Sequence, residues 1–93
     1  MAKRIVFSKK AEIDLERIIT FNNLRNKSDN YSKQFFLKLT RRLKSLLKQP
    51  ATGVKTDAED LLLIWDKYYV FYYYDEVIIT VTSIYHQKEN VIR

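Results

Sequence analysis

The chain holds one histidine, His86, set beside Tyr85 and close to Lys88 in "SIYHQKEN". Imidazole is the side chain that titrates near neutrality, so His86 is the first candidate for proton transfer. Strand alternation suggests its neighbours. If Asp75 and Glu76 form a two-residue turn, Tyr74 opposes Val77 and the pairing of the flanking runs follows. One face then carries Tyr68, Val70, Tyr72 and Tyr74 with Val77, Ile79, Val81 and Ser83. It is almost wholly apolar and should lie under helices. The other face carries Trp65, Lys67, Tyr69, Phe71 and Tyr73 with Ile78, Thr80, Thr82, Ile84 and His86. Its mixture of Lys67, Tyr69, Thr80, Thr82 and His86 has the character of an open functional face. One histidine with no cysteine and no clustered carboxylates on this face cannot supply the three or four ligands of a metal site, so neither metal nor cofactor is expected. A glycine-rich phosphate loop is absent, and no Ser-His-Asp spacing can be argued.

The elements that must position these residues are legible from periodicity. "KRIVF" (Lys3 to Phe7) reads as a first strand, with Ser8 as the N-cap of a helix running to about Leu24. Ala11, Leu15, Ile18 and Ile19 share one face of it; Ile13 and Leu24 lie nearly opposite, which predicts contact with a second helix as well as a sheet. "NKSDN" (Asn26 to Asn30) is a polar turn with Asp29 or Asn30 as cap. A second helix, about Tyr31 to Gln49, gathers Phe35, Phe36, Leu39, Leu43, Leu46 and Leu47 on one arc. Lys33, Lys38, Arg41, Arg42, Lys44 and Lys48 fill the rest, either a solvated face or a surface for phosphate. Pro50 stops the helix, and a loop containing the only glycine, Gly53, follows. "LLLIW" (Leu61 to Trp65) and the two runs already paired complete a β-α-α-β-β-β order. This is an α+β domain, an antiparallel sheet with an N-terminal helical hairpin packed on one face.

Ninety-three residues fit one domain, 1–93, with a net charge of +6 and a pI near 9.6. Both favour an anionic partner. The charged start and the lack of an 18-residue apolar run predict a protein neither exported nor inserted in a membrane, with a cytoplasmic location.

The chain resembles the RelE/ParE superfamily of toxins from bacterial type II toxin–antitoxin systems over nearly its whole length. "RIVFSKKAEIDLERI" resembles the opening strand and helix, with an F-S-x-x-A-x-x-D-L pattern at Phe7, Ser8, Ala11, Asp14 and Leu15. "YSKQFFLKLTRRLKSLLKQPATG" resembles the second helix and its L-x-x-x-P-x-x-G exit at Leu46, Pro50 and Gly53. "YYVFYYYDEVIITVTSIYHQKEN" resembles the C-terminal strands, ending at Tyr85, His86, Lys88 and Asn90.

The resemblance implies a growth-arresting toxin silenced by a cognate antitoxin. Relatives of the RelE kind cut mRNA on the ribosome, and relatives of the ParE kind act on DNA gyrase. For the first activity, His86 or Tyr85 would be the acid or base and Lys67 and Lys88 would stabilise the developing phosphorane charge. Tyr69 would stack on a base, with Trp65, Arg41, Arg42, Lys44 and Lys48 as further RNA contacts. The alternatives are gyrase inhibition by binding alone, or a weakened toxin acting mainly through its antitoxin. Three places where relatives often keep arginine hold Asp60, Tyr69 and Lys88. A lysine lacks the bidentate fork of arginine. The six arginines, Arg4, Arg17, Arg25, Arg41, Arg42 and Arg93, are all expected outside the sheet face.

Overall fold

A computed structural model describes residues 4–27 and 29–88. Lys3 of the first strand, Ser28 of the inter-helix turn, and Asn90 and Arg93 near the C-terminus lie outside the described residues. The elements follow the expected order: β1 (Arg4–Phe7), α1 (Lys9–Asn26), α2 (Asn30–Ser45), β2 (Val54–Lys55), β3 (Leu61–Trp65), β4 (Tyr68–Tyr74) and β5 (Ile78–His86). They form an α+β fold of one sheet with the two helices. The strand order is β1-β5-β4-β3-β2. The sheet is mixed rather than antiparallel throughout, because β1 joins the far edge parallel to β5, Ile5 beside Ile79 and Phe7 beside Val81. The short β2 leaves no signal in the sequence; two residues are too few to show alternation.

Local chemistry sets the helix ends. The Ser8 hydroxyl accepts the Ala11 N–H at 3.1 Å, capping α1 as its residue type predicts. Lys27 closes that helix in the left-handed region, at φ 53°. A left-handed residue there is a common way for a helix to stop. Asp29 precedes α2 and pairs with Lys33 at 3.2 Å. The helix finishes at Ser45 rather than Gln49: the N–H groups of Leu46 and Leu47 turn back to Leu43 and Lys44 in tighter, 3₁₀-type bonds.

Core formation follows the apolar arcs. Ala11 and Ile18 of α1, Phe35, Leu39 and Leu43 of α2, and Leu46 beyond it are buried against Leu63, Tyr68, Val70, Tyr72, Ile79, Val81 and Ile84. Ile13 and Leu24 do not pack between the helices as expected; they are 54% and 74% exposed. The helix–helix seam runs along another strip, where the Ser32 hydroxyl lies 2.6 Å from Asn23 Oδ1 and 3.2 Å from the Ile19 carbonyl. Phe36, expected in the arc, is exposed on its flank.

The glycine has a steric reason. Tyr72, fully buried, donates to the Pro50 carbonyl at 2.6 Å and accepts the Gly53 N–H at 2.8 Å. A Cβ at position 53 would come within 2.8 Å of that hydroxyl, so the P-x-x-G exit from α2 is locked onto the sheet by one phenol. Burial pushes the Tyr72 hydroxyl above its usual pKa, against the opposing pull of the Gly53 N–H.

Candidate functional site

The β4–β5 pairing decides which side chains meet, and it differs from the expected register twice. Asp75 is the first residue of the turn rather than a central one, a position that aspartate favours. Its Oδ1 accepts the N–H groups of Val77 and Ile78 at 2.7 and 2.8 Å, leaving Glu76 and Val77 at the tip. Tyr74 therefore opposes Ile79, not Val77. This slip of two residues preserves the assignment of faces near the turn. Tyr74 itself, expected in the core, is 38% exposed at the strand end.

The second departure exchanges faces. A bulge opposite Phe71 and Tyr72 gives β5 one extra residue, Thr82, whose hydroxyl donates to the Phe71 carbonyl at 3.1 Å. Beyond it, Ile84 and His86 pair with Val70 and Tyr68 and turn to the helix side; Ser83 and Tyr85 turn to the open side with Phe71 and Tyr69. The expected placement of Ile84 and His86 on the open face is corrected accordingly. Trp65 also lies on the helix side, opposite Tyr68 and against Phe35 at 5.8 Å between ring centroids. Its expected place on the open face fails because the offset of β3 against β4 cannot be read from alternation.

Helix α1 fixes the end of β5 that carries these residues. Strand β1 stops at Phe7, opposite Val81, so the edge of β5 beyond it would expose unpaired backbone groups. Ser8 supplies the first bonds, from its N–H to Val81 O at 2.9 Å and from Oγ to Thr82 O at 3.1 Å. Asp14 Oδ2 then accepts the Ile84 N–H at 3.0 Å, and Arg17 Nη2 donates to the Ile84 carbonyl at 3.1 Å. The S-x-x-A-x-x-D pattern is thus a side-chain continuation of the sheet ladder. Asp14, nearly buried, also binds Lys10 Nζ at 2.9 Å.

His86 stands at the wall of a groove of about 630 Å³ between α1, the start of α2 and the ends of β4 and β5. Its ring is edge-on to Tyr68 at 5.2 Å and 88°, and Nδ1 accepts the Lys88 N–H at 3.1 Å. Lys67, Lys88, Arg25 and Arg17, the last paired with Asp14 at 3.5 Å, line the same groove with no carboxylate side chain among its described lining residues; Phe21 and Tyr31 add exposed rings. Burial pushes the Tyr68 hydroxyl above its usual pKa, partly offset by a hydrogen bond with Asn22.

The other candidates fall elsewhere. Tyr85 accepts a bond from Lys10 Nζ at 2.7 Å and meets Phe71 edge-on at 6.1 Å, across the sheet from His86. Burial pulls the Lys10 ammonium down, but its bonds to Tyr85 and Asp14 outweigh this and leave its pKa raised. Tyr69 is half-buried on that open side, opposite Tyr85. Arg41 and Arg42 line a second depression, also about 630 Å³, with Lys38, Trp65 and Asp66. Lys44 and Lys48 are exposed and line neither depression. Sequence reasoning missed Arg17, Phe21 and Arg25 as site residues. Their signal is the i, i+4, i+8 spacing that stacks them on one side of α1.

Among the described residues, no group of three or more His, Cys, Asp or Glu could hold a metal ion, and no helix is long and apolar enough to cross a membrane. A basic α+β module with cation-rich depressions at one end of its sheet is suited to an anionic partner. The family model described as the ParE toxin of type II toxin-antitoxin system, parDE, matches residues 5–91, and the chain belongs to that family. No curated protein matches the chain. Membership makes the protein the toxin of a type II pair and implies a cognate antitoxin as partner.

Proposed function

We propose that this toxin acts in the cytoplasm to inhibit translation by cutting mRNA on the ribosome, with the His86 groove as the cleavage site. The observation that carries the reading is the gathering of the only imidazole with four cationic side chains, Lys67, Lys88, Arg25 and the Asp14-paired Arg17, in one groove with no carboxylate among its described lining residues. Cleavage without a metal needs a base for the ribose 2′-hydroxyl and cations against the negative charge that builds on the pentavalent phosphorane. His86 takes the 2′-hydroxyl proton as that oxygen attacks the adjacent phosphorus. The bond from phosphorus to the 5′-oxygen breaks, and the leaving oxygen takes its proton from water. The lysines and arginines offset the charge that builds on the non-bridging oxygens. Tyr31 and Phe21 offer rings against which an unpaired base can stack.

A second reading, inhibition of DNA gyrase by binding alone, is favoured by the match to the ParE toxin model and by one structural observation. Tyr85, the other candidate for proton transfer, lies across the sheet with its hydroxyl bound to Lys10. The experiment is to add purified toxin to a translation reaction and map mRNA 5′ ends, with a supercoiling assay in parallel. Under the cleavage reading, His86→Gln lowers the cutting rate by about 10²-fold or more. Intact mRNA with loss of supercoiling would move the assignment to gyrase. Undiminished cutting by His86→Gln would remove His86 from its role.

A further inference from the structure

We infer that the His86 groove and the Trp65 depression form one track for a single RNA strand, which crosses the Asp66–Lys67 turn between them. The inference rests on the strand-binding reading of the groove and extends it to a second subsite.

The two depressions share a wall that is one turn thick. Trp65 and Asp66 line one side of it, and Lys67 and Tyr68 line the other. The wall is held in place: the Gln87 N–H donates to the Lys67 carbonyl at 2.8 Å, and Gln87 Nε2 reaches the Asp66 carbonyl at 3.4 Å. Asp66 sits in the left-handed region at φ 54°, which makes the turn tight. A ligand can therefore pass over a fixed, narrow ridge from one basic depression to the other.

The rings on each side favour a nucleic acid strand over an acidic protein segment. Trp65 is half-buried, with its indole packed on Tyr68 at 5.9 Å and 25°. Its orientation is already set, so stacking a base on it costs little side-chain ordering. Lys38, Arg41 and Arg42 stand around it for phosphates, against one carboxylate, Asp66. Rings placed beside cations at both stations match bases alternating with phosphates. An acidic peptide would use the cations and leave the rings idle.

Length follows from α2. Tyr31 lines the first depression and Arg41 the second, near opposite ends of that helix. The helical rise of ~1.5 Å per residue puts the two stations ~15 Å apart. A mononucleotide cannot serve both; an oligonucleotide can.

Trp65 is the only tryptophan, so its fluorescence reports the second station directly. The test is to titrate the full chain with 2′-O-methyl oligouridylates of rising length, which have no nucleophile and cannot be cut. We expect quenching to appear only above a threshold length. The variant to compare is Lys38→Gln/Arg41→Gln, both exposed positions. It should abolish the quenching and lower the salt slope of long-strand binding by about 1.4, while short-strand affinity stays within about twofold. Equal quenching by uridine monophosphate and long strands, or none at any length, would overturn the track. Equal quenching by oligoglutamate would reassign the surface to an acidic protein. Length-dependent quenching in a toxin that fails to cut mRNA would support the track while removing the cleavage reading, and cutting without length dependence would do the reverse.

Discussion

The two faces of β5 differ more than their common strand suggests. On the helix side, Ile84 is core and His86 opens into a groove lined by four cationic side chains. On the open side, Ser83 and Tyr85 face Phe71 and Tyr69, with exposed Ile64 and Tyr73 nearby on the same face. The open face is rich in rings and aliphatic carbon and poor in charge; the groove combines both. One inserted residue, Thr82, assigns His86 to the first environment and Tyr85 to the second. Adjacent residues of a strand face apart, so a bulge upstream decides that His86 enters the groove while Tyr85 meets Lys10 on the other side.

The largest expected effect comes from releasing the end of β5. Asp14→Ala leaves the Ile84 N–H without its carboxylate acceptor and removes the partner of Lys10 and Arg17. Leaving a buried donor unpaired in this way should cost ~3 kcal/mol in urea unfolding. Growth arrest should fall with it, because Arg17 and His86 lose their shared anchor. Unchanged stability would show that β5 holds its course without Asp14.

Tyr72→Phe leaves the Pro50 carbonyl and the Gly53 N–H unpaired. The expected cost is smaller, ~1.5 kcal/mol, because both groups lie near the surface, where water can replace the phenol. The variant carries a pH signature. Tyr68 and Tyr72 have folded pKa values raised above the ordinary 10.0, so the unfolded chain loses these protons first as pH rises. Their contribution is fully present below about pH 10 and is lost as pH climbs through the folded values. Unfolding free energy measured from pH 8 to 11 should bend downward near the top, and less steeply in Tyr72→Phe.

Ile64→Lys sets the opposite expectation. Ile64 is 56% exposed on the open face. A lysine there should change stability by no more than ~0.5 kcal/mol and leave growth arrest intact. Lost toxicity with an unchanged fold would move the working surface from the groove to the open side.

Much of the fold was legible because its signals are local. Ser8 caps α1 through its own hydroxyl, Pro50 and Gly53 mark the exit from α2, and Phe35, Leu39, Leu43 and Leu46 recur at the helical period. The site was legible only in part. Lys67, His86 and Lys88 do line one groove, but Tyr69 and Tyr85 were grouped with them and lie across the sheet. Trp65, Arg41 and Arg42 form a separate station. Arg17 and Arg25 stand among the groove cations beside His86, and Arg17 also comes within 6.0 Å of the Tyr85 ring centroid.

The sequence by itself determined the order of the helices and the longer strands, the Ser8 cap, most of the apolar arcs and the excess of positive charge, because each depends on composition or on residues within a turn or two of one another. Tertiary structure decided the rest. The parallel joining of β1 to β5, the bulge at Thr82 and the reach of Asp14 and Arg17 to Ile84 depend on backbone groups far apart in the chain. No local period records which carbonyl needs a donor, and that requirement is what placed His86 among the arginines of α1.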